Sequence, residues 1–374
     1  MRDPQDVIPL ADLLRQQQAC RPGPWGRIVY DYSMIEMAPA LWKQAEVKPP
    51  ATAWKLQVSG AEAVRQQLLA ADFTTEQTQE LLATLTPMAG GYVLHPTDEF
   101  ILAMEPEVRR NWYALLAGEP GNPDYSQPPR FRQRTDLTWL HHAEVNPKAL
   151  AMVKRLSFRA GNLDIMADMP LLQRNITQPE TLRRLTCVLS RETTVLAYLL
   201  VGPQDNLEQL ANYWGYPDRQ DAVRTLLRTT LRSGFDRPVP ISMLLPRFAR
   251  DRVHRYWHAG DPPWPDCNYT ALNFFNTVPD GRYTEPVAIT EAFNRDYVPV
   301  TTAPQLGDIV LVRRGADVSI HMCNYIADDI VFTKNGGALG RPWMFARLAD
   351  VIEHYSYPAP VQLLFARRRD LARP

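Results

Sequence analysis

Proline sets the strongest limit on what this chain can fold into. It occupies 33 of 374 positions, close to double the usual ~5%. Each ring fixes φ and removes a backbone donor, so neither helices nor ladders can run far. The expectation is many short elements joined by long ordered connections. Hydrophobic residues make up 45% of the chain, enough for real cores, which excludes a disordered protein. The length fits two domains or three small ones. Lys plus Arg and Asp plus Glu are each 41. With no net field to draw a polyanion, nucleic acid is not an expected partner.

Cysteine use excludes other classes. Cys20, Cys187, Cys267 and Cys323 are too few and too scattered for a disulfide framework. No CxxC pair exists, so a structural zinc site is not expected; no cofactor is expected either. The adjacent His141 and His142 point different ways on any regular element and make a poor metal site. The opening MRDPQDVIPLADLL has no apolar run and no signal-peptide pattern. The compartment stays open: periplasmic or secreted if a signal was removed, otherwise cytoplasmic. No stretch reaches the ~18 apolar residues of a membrane span. The nearest, Leu185 to Gly202, carries Arg191 and Glu192 at its centre.

Apolar residues recur at helical spacing over 61–72, 74–85 and 104–118. Thr74 or Thr75 is the candidate cap of the second, while Pro106 and Gly118 mark the ends of the third. The polar stretch 119–136 reads as a loop or linker. Helical patterns return at 147–158, 178–190, 206–214 and 218–231. Residues 1–245 therefore read as a mainly helical accessory region, with a possible break into two subdomains near 119–136. Trp112, Tyr113, Trp139, Tyr213 and Trp214 fill its core or line a groove. The texture changes after Pro246. A short apolar helix over 268–276 is followed by strands at 307–314, 320–327, 330–334 and 361–366. Asp328 and Asp329 mark a tight turn, and Arg367 to Arg369 read as a solvated tail. The fold class expected is α+β, with the helix first and an antiparallel sheet after it in 246–374.

The chemistry gathers in that last third. Cys267 follows Trp264, Pro265 and Asp266 and opens an apolar helix. Asp266 is placed to cap it, and the helix N-terminus favours a thiolate. A cysteine nucleophile needs a base within hydrogen-bond reach. His321 begins a strand 54 residues later, and a Cys267–His321 contact within about 4 Å is the expectation.

Local spacing adds a resemblance. Tyr256-Trp-His-Ala-Gly260, then Asp266-Cys267, resembles the Y-x-x-G-G … D-C-S-G signature of NlpC-type cysteine peptidases, which are circularly permuted papain-fold enzymes. Gly307-Asp308-Ile309-Val310, then His321-Met-Cys-Asn-Tyr325-Ile-Ala-Asp328, resembles that family's G-D-L-V … H-V-G-I-Y-I-G-D. Pro342-Trp343 through Leu348 sit where the family has a loop before its last strand. The resemblance covers about 120 residues, Arg252 to Arg369. It implies a papain-like domain and a thiol hydrolase acting on a peptide amide, with a bacterial cell-wall stem peptide as substrate. It also implies that Cys267 attacks and His321 shuttles the proton. The third catalytic residue falls at Thr333, or at Asn335 if a bulge at Lys334 turns it inward, or the triad is degraded.

Departures keep alternatives open. The family's Ser-Gly becomes Asn268-Tyr269, so Tyr269 narrows the helix start or occupies substrate space. Tyr256 is placed by the resemblance at the cleft border. Asp266, Tyr269 and Trp264 complete the candidate substrate-binding set, and Trp264 and Trp343 read equally as groove wall or core. Cys323, two residues from the candidate base, reads as packing. His254 and His258 read as loop histidines. An acyltransferase or non-wall amidase on the same fold, and an inactive binding module, are the competing readings. A sealed thiol would favour the last.

Overall fold

The computed structural model describes residues 18–37, 49–126, 128–132, 145–232, 238–256, 262, 264–315, 318–338 and 340–372. Trp139, His141, His142, His258, Ala259 and Gly260 lie outside them. The chain is mixed helix and strand with antiparallel sheets. Among the described residues no helix is long and apolar enough to cross a membrane.

The division of the chain differs from the expected break near 245. One unit comprises Met1–Ile35, Glu192–Tyr355 and Val361–Pro374; the other comprises Glu36–Arg191 and Ser356–Pro360. The physical cause is a long-range strand pair. Strand β1 (Arg27–Ile35) and strand β2 (Glu192–Leu200) run antiparallel in unbroken register, from Arg27 opposite Leu200 to Ile35 opposite Glu192. That ladder gives the N-terminal segment to the same unit as the candidate site. It also adds strand to a region read as mainly helical, since the apolar run at 185–202 is a helix end followed by β2.

In the second unit the helical reading holds locally. Helices span Ala61–Ala70, Thr75–Leu82, Pro106–Gly118, Pro147–Leu156 and Pro179–Leu189. Thr74 and Gln77 form a reciprocal capping box, which satisfies two N-terminal donors at once. Two small antiparallel sheets join them, one containing the hairpin Thr86–Met88 to Gly91–Leu94. The other contains Arg130–Arg132, so part of the supposed linker is sheet. Trp54, Trp112 and Tyr113 are fully buried, and the indole of Trp54 donates to the Tyr125 hydroxyl at 2.8 Å. Trp112 and Tyr113 therefore fill core.

The first unit carries a six-stranded antiparallel sheet. Its strands are β3 (Tyr297–Pro299), β4 (Ile309–Arg314), β5 (Val318–Ala327), β6 (Ile330–Lys334), β7 (Trp343–Arg347) and β8 (Gln362–Arg368), in spatial order β3-β8-β4-β5-β6-β7. Strand β7, read from sequence as a loop, pairs with β6 from Ile330–Arg347 to Lys334–Trp343. Arg367 is not a solvated tail: its guanidinium holds the buried Asp308 carboxylate at 2.7 and 2.8 Å.

Alternation along the strands gives the sheet two distinct faces. On one face Ile309, Leu311 and Met322 pack with Ala271 and Leu272 of helix α1 (Cys267–Leu272). The Asn324 amide on that face donates to the Ala271 carbonyl at 3.1 Å. On the other face Val310, Val312, Cys323, Tyr325, Val331 and Met344 pack with Val351 of helix α2 (Leu348–Tyr355). Tyr213 and Trp214 are buried in a third cluster of this unit, so they too are core.

Candidate active site

Cys267 is the first residue of α1. Asp266 caps that helix by accepting from the Tyr269 N–H at 2.9 Å, and also accepts from the Asn268 amide at 2.9 Å. The residue is 9% exposed. The backbone N–H groups of Met322, Cys267 and Asn268 face the sulfur and favour its anion. Burial outweighs them and, with Asp266 beside it, pushes the thiol up to about 12. The sequence reading expected the opposite sign. A helix of one and a half turns contributes only about 0.3–1 kcal/mol to an anion at its start, and desolvation of a fully buried group is the larger effect.

His321 does not meet Cys267. Met322 and Asn324 point toward α1, so the intervening side chains His321 and Cys323 leave on the opposite face. There the imidazole stacks on Tyr355 of α2, with ring centroids 4.4 Å apart. Its Nε2 lies 2.8 Å from the Thr333 hydroxyl, and its Nδ1 is buried without a hydrogen-bond partner. Burial pushes its pKa down to about 3, so the ring is neutral near pH 7. The expected Cys267–His321 hydrogen bond is therefore absent, while the expected His321–Thr333 contact is made.

Of the two candidate third residues, Thr333 lies beside His321, and with His321 away from Cys267 neither completes a triad. No bulge occurs at Lys334, whose pairing with Trp343 continues the ladder. Asn335 falls just past the strand, its Oδ1 buried and unpartnered. Tyr269 is 1% exposed and packs its ring on Phe248 at 5.7 Å, so it belongs to the core and does not narrow a groove. Tyr256 donates its hydroxyl to the Ile35 carbonyl at 3.0 Å. Trp343 is fully buried, and its indole donates to the Thr270 hydroxyl of α1 at 2.9 Å. Cys323 is buried in the far-face cluster, a packing role. His254, placed on a loop by sequence, is half-buried against Phe345.

Trp264 stands apart. It is 64% exposed, three residues before Cys267, with φ at +58°. A bulky side chain there costs about 1–2 kcal/mol of backbone strain. Such strain is held by its surroundings, and a Cβ added at Gly337 would sit 3.2 Å from the Trp264 carbonyl oxygen.

One residue near Cys267 escaped the sequence reading. Lys334 ends β6 fully buried. Its ammonium donates to the carbonyls of Gly336 at 2.9 Å and Ala338 at 3.1 Å. The available signal was a lone charge at the inward step of the apolar run IVFTK. Comparison of the chain with protein-family models, with curated proteins and with solved structures finds no match.

Proposed function

We propose that this chain is a thiol hydrolase that cleaves an amide bond in a peptide, with Cys267 as nucleophile. The observation that carries the reading is the sulfur's setting. It sits at the start of α1 among three backbone N–H groups drawn from two separate elements, α1 and β5. Donors of that kind stabilise negative charge as it develops, on sulfur or on a carbonyl oxygen held beside it. Attack on the carbonyl carbon gives an acyl-enzyme and releases an amine; water then releases the acid. The strained, exposed Trp264 supplies a flat apolar surface beside the nucleophile for the substrate. The finer proposal, a bacterial cell-wall stem peptide, rests on the order of sequence motifs from Tyr256 to Asp328.

A second reading has its own observation. The low exposure of Cys267 suits a catalytically inactive binding module, in which Trp264 holds a ligand and no bond breaks. Incubation with muropeptides separates the two. New amine and carboxylate termini seen by mass spectrometry, and their loss in Cys267→Ala, support the hydrolase. Ligand retention by both proteins with no new termini supports the module.

A further inference from the structure

We propose that Lys334 is the general base for Cys267, forming a Cys–Lys pair on the face of the sheet that α1 covers. The inference rests on Cys267 being a nucleophile and adds the proton acceptor that His321, on the far face, does not provide.

Strand register puts the lysine on that face. Lys334 and Trp343 are cross-strand partners in β6 and β7, so their side chains leave on one face. The Trp343 indole reaches Thr270, which lies three residues after Cys267 and so on the same side of α1. The Lys334 ammonium lies 5.5 Å from the Trp343 ring. Its two carbonyl acceptors fold 335–338 around it, and Gly337 of that turn packs on the backbone of Trp264. Asp266 and the Cys267 sulfur both lie within electrostatic reach of it. Among the described residues no carboxylate forms a salt bridge with it.

A buried ammonium without a paired carboxylate yields its proton readily. Burial, assisted by Arg341, pushes Lys334 down to about 7. A free amine is then accessible near neutral pH, the condition a general base needs. As Sγ bonds to the carbonyl carbon, the thiol proton passes to Nζ of the neutral amine. The resulting ammonium returns that proton to the leaving nitrogen as the C–N bond breaks. In deacylation the amine takes a proton from water and returns it to sulfur. The thiol stays protonated at rest, which agrees with its raised pKa and differs from a resting thiolate–imidazolium pair.

Alkylation by iodoacetamide tests the pair without requiring amide hydrolysis. The labelling rate of Cys267 is followed by mass spectrometry across pH in wild type, Lys334→Met, Lys334→Arg and His321→Phe. Wild-type labelling should rise with a midpoint near pH 7. Lys334→Met and Lys334→Arg should both label at least about tenfold more slowly at neutral pH; Arg keeps the charge but offers no neutral base. His321→Phe should retain the wild-type rate and midpoint. The proposal is overturned if both Lys334 variants keep the wild-type rate. A wild-type midpoint well above the lysine range, or Lys334→Arg equal to wild type, overturns it as well. The wild-type midpoint stands even if a variant misfolds. If labelling follows Lys334 but no amide is cut, the hydrolase reading fails and the pair survives.

Discussion

Acid should loosen the six-stranded sheet through His321. The imidazole is 1% exposed, and burial holds its pKa at about 3 in the folded state against 6.5 ordinarily. Below about pH 6.5 the unfolded chain binds a proton that the folded chain refuses. Stability is complete above that pH and falls by about 1.4 kcal/mol per pH unit until the folded pKa is reached. The ceiling across the interval is about 5 kcal/mol, comparable to the whole stability of many domains. His321→Phe keeps a ring to stack on Tyr355 and removes the titration. Urea unfolding of both proteins, read by hydrogen exchange in peptides from β5, reports this unit alone. Carboxylate effects cancel in the difference between the two proteins. On acidification wild type should lose about 1.4 kcal/mol per pH unit relative to the variant. Parallel curves would mean that the ring is charged or solvated in the folded state and carries no such linkage.

Three further outcomes follow from packing and capping. Gly307 has φ +87°, and a Cβ there would lie 2.2 Å from the Phe275 ring; Gly307→Ala should cost at least about 2 kcal/mol in urea unfolding. In the second unit Asp168 accepts from Tyr113 at 2.8 Å and faces the fully buried Arg109 at 3.8 Å. Asp168→Ala strands that charge and should cost about 3–5 kcal/mol, most of it recovered in the double variant Arg109→Met, Asp168→Leu. Asp266→Ala removes the cap of α1 and should lower the unfolding free energy by about 0.5–2 kcal/mol.

The legible parts of the fold were those with local causes. Thr74, Pro106 and Gly118 carry their helix boundaries in their own chemistry, and the apolar strands β4, β5 and β6 stand out by composition. The pairing of β1 with β2 was not legible, because its partners lie more than a hundred residues apart and nothing local records the contact. At the site, the sequence placed Cys267 at a helix start, and the family resemblance offered Thr333 or Asn335 as the partner of His321. Neither could say which face of β5 the imidazole takes, since a shift of one residue reverses every side chain. Asn324, which reaches back to α1, fixes that parity only once the structure is seen. Lys334 was passed over because a lysine at a strand end usually marks solvent.

A Cys267 nucleophile forms a covalent acyl intermediate, and that intermediate can be trapped. A peptidyl thioester mixed with the protein and quenched in acid leaves an acyl adduct visible by intact mass. Peptide mapping should place it on Cys267, with no adduct in Cys267→Ala. An adduct on Cys20, Cys187 or Cys323, or none on wild type under conditions where the thioester is consumed, would contradict the account.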